Sequence, residues 1–408
     1  MKNESVWEII KKSINSLFFL PCWWMQKFIK RNPTLWVFGA WFGSRYADNS
    51  RAFFEYVVDN HPEIKAYWVT KNNKVYEDLK KKSLPVVYAD SKEGKNIQKH
   101  ASIFFLTVGL SDVNSAYLNG CRIVWLWHGM PLKIVGEPGR QFLTEHTFWK
   151  KIKTKIRKII LPYEFLTPYD GYPAQMLSTS PFFSQYLQSS FKIKPENMLE
   201  LGQPRNDKLF SPTIEPLILD LRNKFNNPQI VLYMPTFRDG ESKKNLYFNP
   251  FATAGFDLAT FTKALSDNNI VFVYKGHFFD SDNSLLSQDN RIITISDNDY
   301  DDLYTFIKDV DVLITDYSSV YFDFLLCRKP IILFPFDKDS YISQSRPFYY
   351  DYELLQAKRV YSWQELTAAL EEKDYYVPSE DTIKLFNTYI DGDSCKRLFE
   401  KIMQAYIK

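Results

Sequence analysis

The chain has 408 residues, more than a single hydrophobic core usually holds, so two domains of ordinary size are expected. Hydrophobic residues make up 45% and aromatics 17%, which excludes global disorder. A formal net charge of only +3 excludes a protein whose whole surface is built to bind nucleic acid.

No apolar run reaches about 18 residues, the length a membrane-spanning helix needs. The nearest is LFFLPCWWM (17–25), which contains Pro21 and lacks the small-residue cleavage site of a secretory signal. Residues 1–31 place Lys11, Lys12, Lys27, Lys30 and Arg31 around Phe18, Phe19, Trp23 and Trp24, the pattern of an amphipathic segment lying in a membrane interface. Short apolar runs follow at 35–42, 66–70, 85–89, 103–108 and 122–129, separated by polar stretches of helical length such as 49–60 and 72–82. This alternation predicts βα units on a parallel sheet.

Residues 148–161 (FWKKIKTKIRKIIL) carry Lys150, Lys151, Lys153, Lys155, Arg157 and Lys158 with no acid among them. A solvated helix face normally mixes signs, so this run predicts a second patch for anionic lipid. A second series of strands is expected at 198–202, 230–235, 270–277, 291–296, 311–316 and 330–336. The polar, proline-bearing stretch 211–227 suggests a boundary near residue 215. The expected organisation is a membrane-associating segment (1–31), an amino-terminal Rossmann-like acceptor domain (32–215) and a carboxy-terminal Rossmann-like donor domain (216–408). The last helix is a candidate to pack back on the amino-terminal domain. The four cysteines are far apart and form no CxxC pair, so neither a disulfide framework nor a zinc knuckle is expected.

The familiar GxGxxG, Walker A, HExxH and GxSxG motifs are absent. The acidic cluster Asp297, Asp299, Asp301 and Asp302 suits the positive start of a helix better than a metal site. What stands out is a set of polar residues placed just after apolar strands: His128 with Gly129, Arg205, Arg238, Lys275 with His277, and Ser318 with Ser319. Ligands of open α/β sheets lie beyond the carboxyl ends of the strands. Ser318 and Ser319 open a helix and can present N–H and hydroxyl groups to phosphate oxygens. Arg205 and Arg238 can grip phosphate bidentately, and Lys275 and His277 can neutralise a leaving phosphate, so no metal is required. His128 is a candidate general base, since imidazole removes a hydroxyl proton near neutral pH.

WHGMPLKIVG (127–136), GQPRNDKLF (202–210), YMPTFRD (233–239), YKGH (274–277) and DVLITDYSSVYFDFLLCRKPIILFPFD (311–337) together resemble the CDP-glycerol glycerophosphotransferase family of teichoic-acid primases and polymerases. FGSRYADNSRAFFEYV (42–57) resembles that family's first βα unit. The resemblance implies a GT-B-like α/β fold, with two Rossmann-like parallel-sheet domains facing a deep cleft. It implies a peripheral protein at the cytoplasmic face of a bacterial membrane. The activity implied is transfer of a polyol phosphate from a CDP-alcohol to a lipid-linked glycan or growing teichoic-acid or capsule polymer, with release of CMP and with no cofactor. By motif, His128 and His277 would be catalytic. Arg205, Arg238, Lys275, Ser318, Ser319 and Asp323 would bind the donor, with Asp323 either meeting a ribose hydroxyl or serving packing. Gly129, Pro131 and Lys133 would lie on the acceptor side. Met130 stands where the family usually has Thr, which bears on the acceptor. The chain's length favours a single-unit transferase. A GT-B glycosyltransferase using a nucleotide sugar is the alternative reading.

Overall fold

A computed structural model describes residues 19, 21–136, 138, 174–236, 250–252, 255–276, 289–295, 302–344 and 347–405. Basic segment 148–161, most of segment 1–31, and both Arg238 and His277 lie outside the described residues.

The described residues divide into two compact units. Unit 1 comprises Met1–His128, Gly136–Arg205 and Asp393–Lys408; unit 2 comprises Gly129–Val135 and Asn206–Gly392. The division therefore falls between Arg205 and Asn206 rather than near residue 215, and the helix Ser394–Gln404 belongs to unit 1.

Unit 1 is built on a parallel sheet of β1 (Asn32–Gly39), β2 (Lys65–Thr70), β3 (Val86–Tyr88), β4 (Ala101–Leu106), β5 (Arg122–Trp125), β6 (Ala174–Ser178) and β7 (Met198–Glu200). Its spatial order is β3-β2-β1-β4-β5-β6-β7. Helices cover a parallel sheet on both faces, so its central strands read as continuous apolar runs. Accordingly Leu35, Trp36, Val37 and Phe38 of β1 are all buried. Phe38 stacks on Phe105 of β4 with centroids 4.7 Å apart, and Phe53, from the helix Asp48–Asn60, meets Phe105 edge-on at 5.0 Å. The helix Ser394–Gln404 closes this core with Leu398, Phe399 and Ile402. Helix Asn73–Lys81 starts where its alternation predicts, capped by the Asn72 side chain accepting from Lys74 N at 2.9 Å.

Unit 2 holds β8 (Gln229–Met234), β9 (Ile270–Lys275), β10 (Ile292–Ile295), β11 (Val312–Thr315), β12 (Ile331–Leu333) and β13 (Lys358–Arg359), in the order β10-β9-β8-β11-β12-β13. Tyr233, Phe251, Phe272, Phe334 and Trp363 pack its core. Both sheets change direction of winding at the first strand of the series, between β1 and β4 and between β8 and β11. Those two switch points are where open α/β sheets take their ligands.

Three strand expectations need correction. The run at 198–202 belongs to the first sheet as β7, parallel to β6. β6 and β13 lie outside the expected strands: AQMLS has no β-branched residue and no clean alternation, and β13 is only the two residues Lys358–Arg359. β5 stops at Trp125 rather than continuing to Gly129, because Trp127 takes a left-handed φ of +58° that no strand accommodates. The acidic residue Asp302 caps the helix Leu303–Ile307, accepting from Tyr304 N at 3.0 Å, and pairs with Lys208 at 2.6 Å.

Among the described residues no helix is long and apolar enough to cross a membrane. Of the first segment, Arg31 turns inward: its guanidinium donates to the carbonyls of Gln98, Ala101, Tyr117 and Asn119 at 2.7–3.0 Å. It is therefore an anchor for the strand that follows, not a lipid-facing charge. Trp24, Met25 and Phe28 remain exposed.

Candidate functional site

In unit 1, His128 follows the carboxyl end of β5. Two neighbours fix the backbone that carries it. The Asn49 side chain, fully buried near the start of helix Asp48–Asn60, donates to Leu126 O and Trp127 O, both at 3.1 Å, and to Gln203 Oε1 at 3.2 Å. Its Oδ1 accepts from Arg205 N at 3.2 Å. Arg205 Nη1 donates to His128 O at 3.0 Å and forms an ion pair with Asp48 Oδ1. The other Asp48 oxygen accepts from Trp41 Nε1 at 2.8 Å.

The imidazole itself is half-buried between two indoles, with ring centroids 4.1 Å from Trp127 and 5.5 Å from Trp41. Apolar walls of this kind exclude water and strengthen any charge interaction at the ring. Trp41, Phe42 and Gly43 form a left-handed run with φ of +47°, +60° and +78°. Asp112 holds this run at Phe42 N (2.7 Å) and binds Thr107 N and Val108 N (both 2.8 Å). Burial raises the Asp112 pKa, with four backbone N–H groups acting in the opposite direction.

In unit 2, the carboxyl ends of β8 and β11 are tied together by Asp316. This buried carboxylate accepts from Thr236 N at 2.8 Å and from Tyr317 N at 2.6 Å. Tyr352 Oη donates to the Asp316 carbonyl at 2.8 Å. Ser318 and Ser319 come next, both half-buried, and lead into the short helix Val320–Phe324. Ser318 Oγ accepts from Val320 N at 3.3 Å. Lys275 is the last residue of β9, the neighbour of β8. Thr236, Ser318 and Ser319 thus share the switch point of this sheet, with Lys275 one strand away.

The other candidates are placed differently. Asp323 is buried, its two oxygens accepting from Asn206 Nδ2 at 3.1 Å and Tyr304 Oη at 2.7 Å. Gly129, Pro131 and Lys133 sit in the segment that belongs to unit 2, not in an amino-terminal acceptor domain. Backbone bonds explain this: Ile134 N donates to Pro347 O and Tyr349 N to Leu132 O, both at 2.9 Å, and Lys133 pairs antiparallel with Phe348. Pro131 O accepts from Tyr350 Oη at 3.3 Å, and Lys133 Nζ lies 5.0 Å from the Tyr341 ring centroid. Met130 is fully buried. Among the described residues no group of three or more His, Cys, Asp or Glu gathers as a metal site.

Asp48, Asn49 and Trp41 were not singled out from the sequence, and Asp316 stood out only as the start of the strand-end run that holds Ser318 and Ser319. From the sequence Asn49 only opens a polar stretch of helical length, with Asp48 just before it. In the structure the N-terminal cap is Ala47, with no side-chain capping bond; the Asn49 side chain binds the chain just past β5, and Asp48 binds Arg205 and Trp41.

A pair of doubly wound parallel sheets with polar residues at their switch points defines a two-unit α/β protein. The chain belongs to the CDP-glycerol:poly(glycerophosphate) glycerophosphotransferase family, whose pattern matches residues 22–404. It is 27% identical to the teichoic acid poly(glycerol phosphate) polymerase of Bacillus subtilis (strain 168), over 85% of this chain and 44% of that protein. It is 26% identical to the teichoic acid glycerol-phosphate transferase of Staphylococcus aureus (strain NCTC 8325 / PS 47), over 86% of this chain and 85% of that protein. The chain thus spans less than half the length of the Bacillus relative and most of the Staphylococcus one. Its fold is that of the wall teichoic acid polymerase TagF, with a TM-score of 0.72 over 98% of each chain at 22% identity. A TagF variant soaked with CDPG superposes equally well, with a TM-score of 0.71.

Proposed function

We propose that the chain transfers a polyol phosphate, glycerol phosphate foremost, from a CDP-alcohol to a hydroxyl of a lipid-linked glycan or growing teichoic-acid polymer, releasing CMP. The observation that carries this reading is the family pattern running through residues 22–404. His128 accepts the proton of the attacking hydroxyl. The hydroxyl oxygen bonds to the phosphorus next to the polyol while the bond from that phosphorus to the CMP oxygen breaks, so the electron pair leaves with CMP. Phosphoryl transfer of this kind depends on positioning and charge stabilisation more than on covalent catalysis. Ser318, Ser319 and Lys275, with Arg238 and His277, hold the donor phosphates and the departing charge. The two units work together as a GT-B-like pair, and Gly129, Pro131 and Lys133 lie on the path of the acceptor.

Membrane attachment at the cytoplasmic face is part of the proposal. Trp24, Met25 and Phe28 are 59%, 58% and 85% exposed beside Lys27 and Lys30, the side-chain mix that partitions into a headgroup layer.

The test is incubation of the chain with CDP-glycerol, CDP-ribitol and UDP-N-acetylglucosamine in turn, with a glycerol-phosphate-terminated glycolipid as acceptor. Mass analysis is expected to find a phosphodiester-linked unit and equimolar CMP from a CDP-alcohol. A glycosidic bond formed from the UDP-sugar would replace this reading with a glycosyltransferase.

A further inference from the structure

We propose that Asp48 is a positioning residue for His128, working with Arg205 and Asn49 to fix the imidazole; this rests on the reading of His128 as the base. One oxygen of the Asp48 carboxylate pairs with Arg205, and the other accepts from Trp41 Nε1 at 2.8 Å. Each of those partners touches His128. Arg205 Nη1 holds its carbonyl at 3.0 Å, and the Trp41 ring stands 5.5 Å from the imidazole centroid. Asp48 is thus a yoke between the group that fixes the His128 backbone and the group that flanks its ring.

The local geometry is built for this task. Asp48 opens its helix in a left-handed conformation, φ +67°, and its carboxylate meets Arg205 and Trp41. A non-glycine residue keeps such a conformation only where its surroundings over-determine it. The next residue, Asn49, binds the carbonyls of Leu126 and Trp127 and the N–H of Arg205. Asn49 therefore secures Leu126 and Trp127 directly, and Asp48 acts on His128 through Arg205 and Trp41.

Arg205 changes role as a result. From sequence it reads as a ligand of the donor diphosphate. In the structure its guanidinium and the Asp48 carboxylate are 6% and 10% exposed, and each matches the other's charge. Removing one partner of such a pair strands a buried charge, whereas removing both does not. That asymmetry separates positioning from simple stability.

The experiment compares Asp48→Asn, the double variant Asp48→Asn/Arg205→Met, and His128→Ala in the full chain, with CDP-glycerol as donor and a glycerol-phosphate-terminated glycolipid as acceptor. Melting midpoint, kcat and KM for CDP-glycerol are read for each. Asp48→Asn is expected to lower both melting midpoint and kcat. The double variant is expected to recover most of the melting midpoint while kcat stays down about 100-fold, with KM for the donor within about three-fold, as for a displaced catalytic group. A double variant with near-normal kcat overturns the proposal. So does a ten-fold or larger rise in donor KM at normal kcat, which would return Arg205 to the phosphate. Should the double variant not fold, Trp41→Phe deletes the indole bond to Asp48 while keeping an aromatic ring beside His128. Its kcat is then expected to fall several-fold at constant donor KM, and an unchanged kcat overturns the proposal. Near-normal turnover by His128→Ala would instead defeat the underlying reading, whatever Asp48 does.

Discussion

Trp127 shows at the scale of one residue how geometry and packing oppose each other. Its left-handed backbone, φ +58°, costs a non-glycine residue about 1–2 kcal/mol. Its ring recovers more than that, lying 5.2 Å from Trp125, 4.9 Å from Phe191 and 4.1 Å from His128. Trp127→Gly relieves the backbone yet is expected to lose about 3–5 kcal/mol of stability in urea titrations, because loss of a buried aromatic outweighs the relief. A gain in stability would show that backbone strain dominates. A second expectation concerns the thiols. Burial pushes the Cys121 and Cys327 thiols up to about 12. A raised pKa keeps the thiol protonated at every pH below it, and only the thiolate is nucleophilic. Alkylation by iodoacetamide at pH 8 is therefore expected to be slow at both in the folded chain and to accelerate on unfolding. At this scale His128 was legible, because a histidine just past an apolar run is visible in the sequence. Asp48 and Asn49 were not, since a polar stretch of helical length gives no hint that Asn49 binds the chain at Leu126, 77 residues on.

At the scale of elements, apolar runs without interruption gave away most strands, because parallel strands are buried on both faces. β7 was visible as a strand, but its partner was not, since pairing is settled by long-range packing. The helix Ser394–Gln404 shows what that packing contributes. Phe399 lies 5.7 Å from Trp36 and stacks on His61 at 3.4 Å, so the chain's last described helix helps complete a core begun at β1. Phe399→Ala is expected to destabilise unit 1 by about 3–5 kcal/mol, read as an earlier unfolding transition in denaturant. An unchanged transition would mean that the helix is not part of that cooperative core. In unit 2 the equivalent tie is Asp316. Asp316→Ala leaves the N–H groups of Thr236 and Tyr317 without that acceptor, at about 1–3 kcal/mol for each buried group left unsatisfied. Weaker binding of CDP-glycerol by calorimetry is the expected consequence, and unaltered affinity would remove this switch point from the donor site.

For the whole molecule, two sheets with matching strand order carry separate sets of polar residues, one around His128 and one around Ser318. Doubly wound architecture was readable from the alternation of strands and helices. The return of the last helix to unit 1 was also expected, but the place of Gly129–Val135 in unit 2 was not, because contacts distant in sequence settle it. The central claim is that His128 removes the acceptor proton without being needed to hold the donor. Its most direct test is His128→Ala, with CMP release in a single turnover and the Kd for CDP-glycerol measured on the same preparation. Turnover is expected to fall by about 10²- to 10⁴-fold, the contribution of a positioned base, while Kd changes less than about three-fold. Turnover close to that of the unaltered chain, or a Kd that weakens in step with it, would contradict the claim.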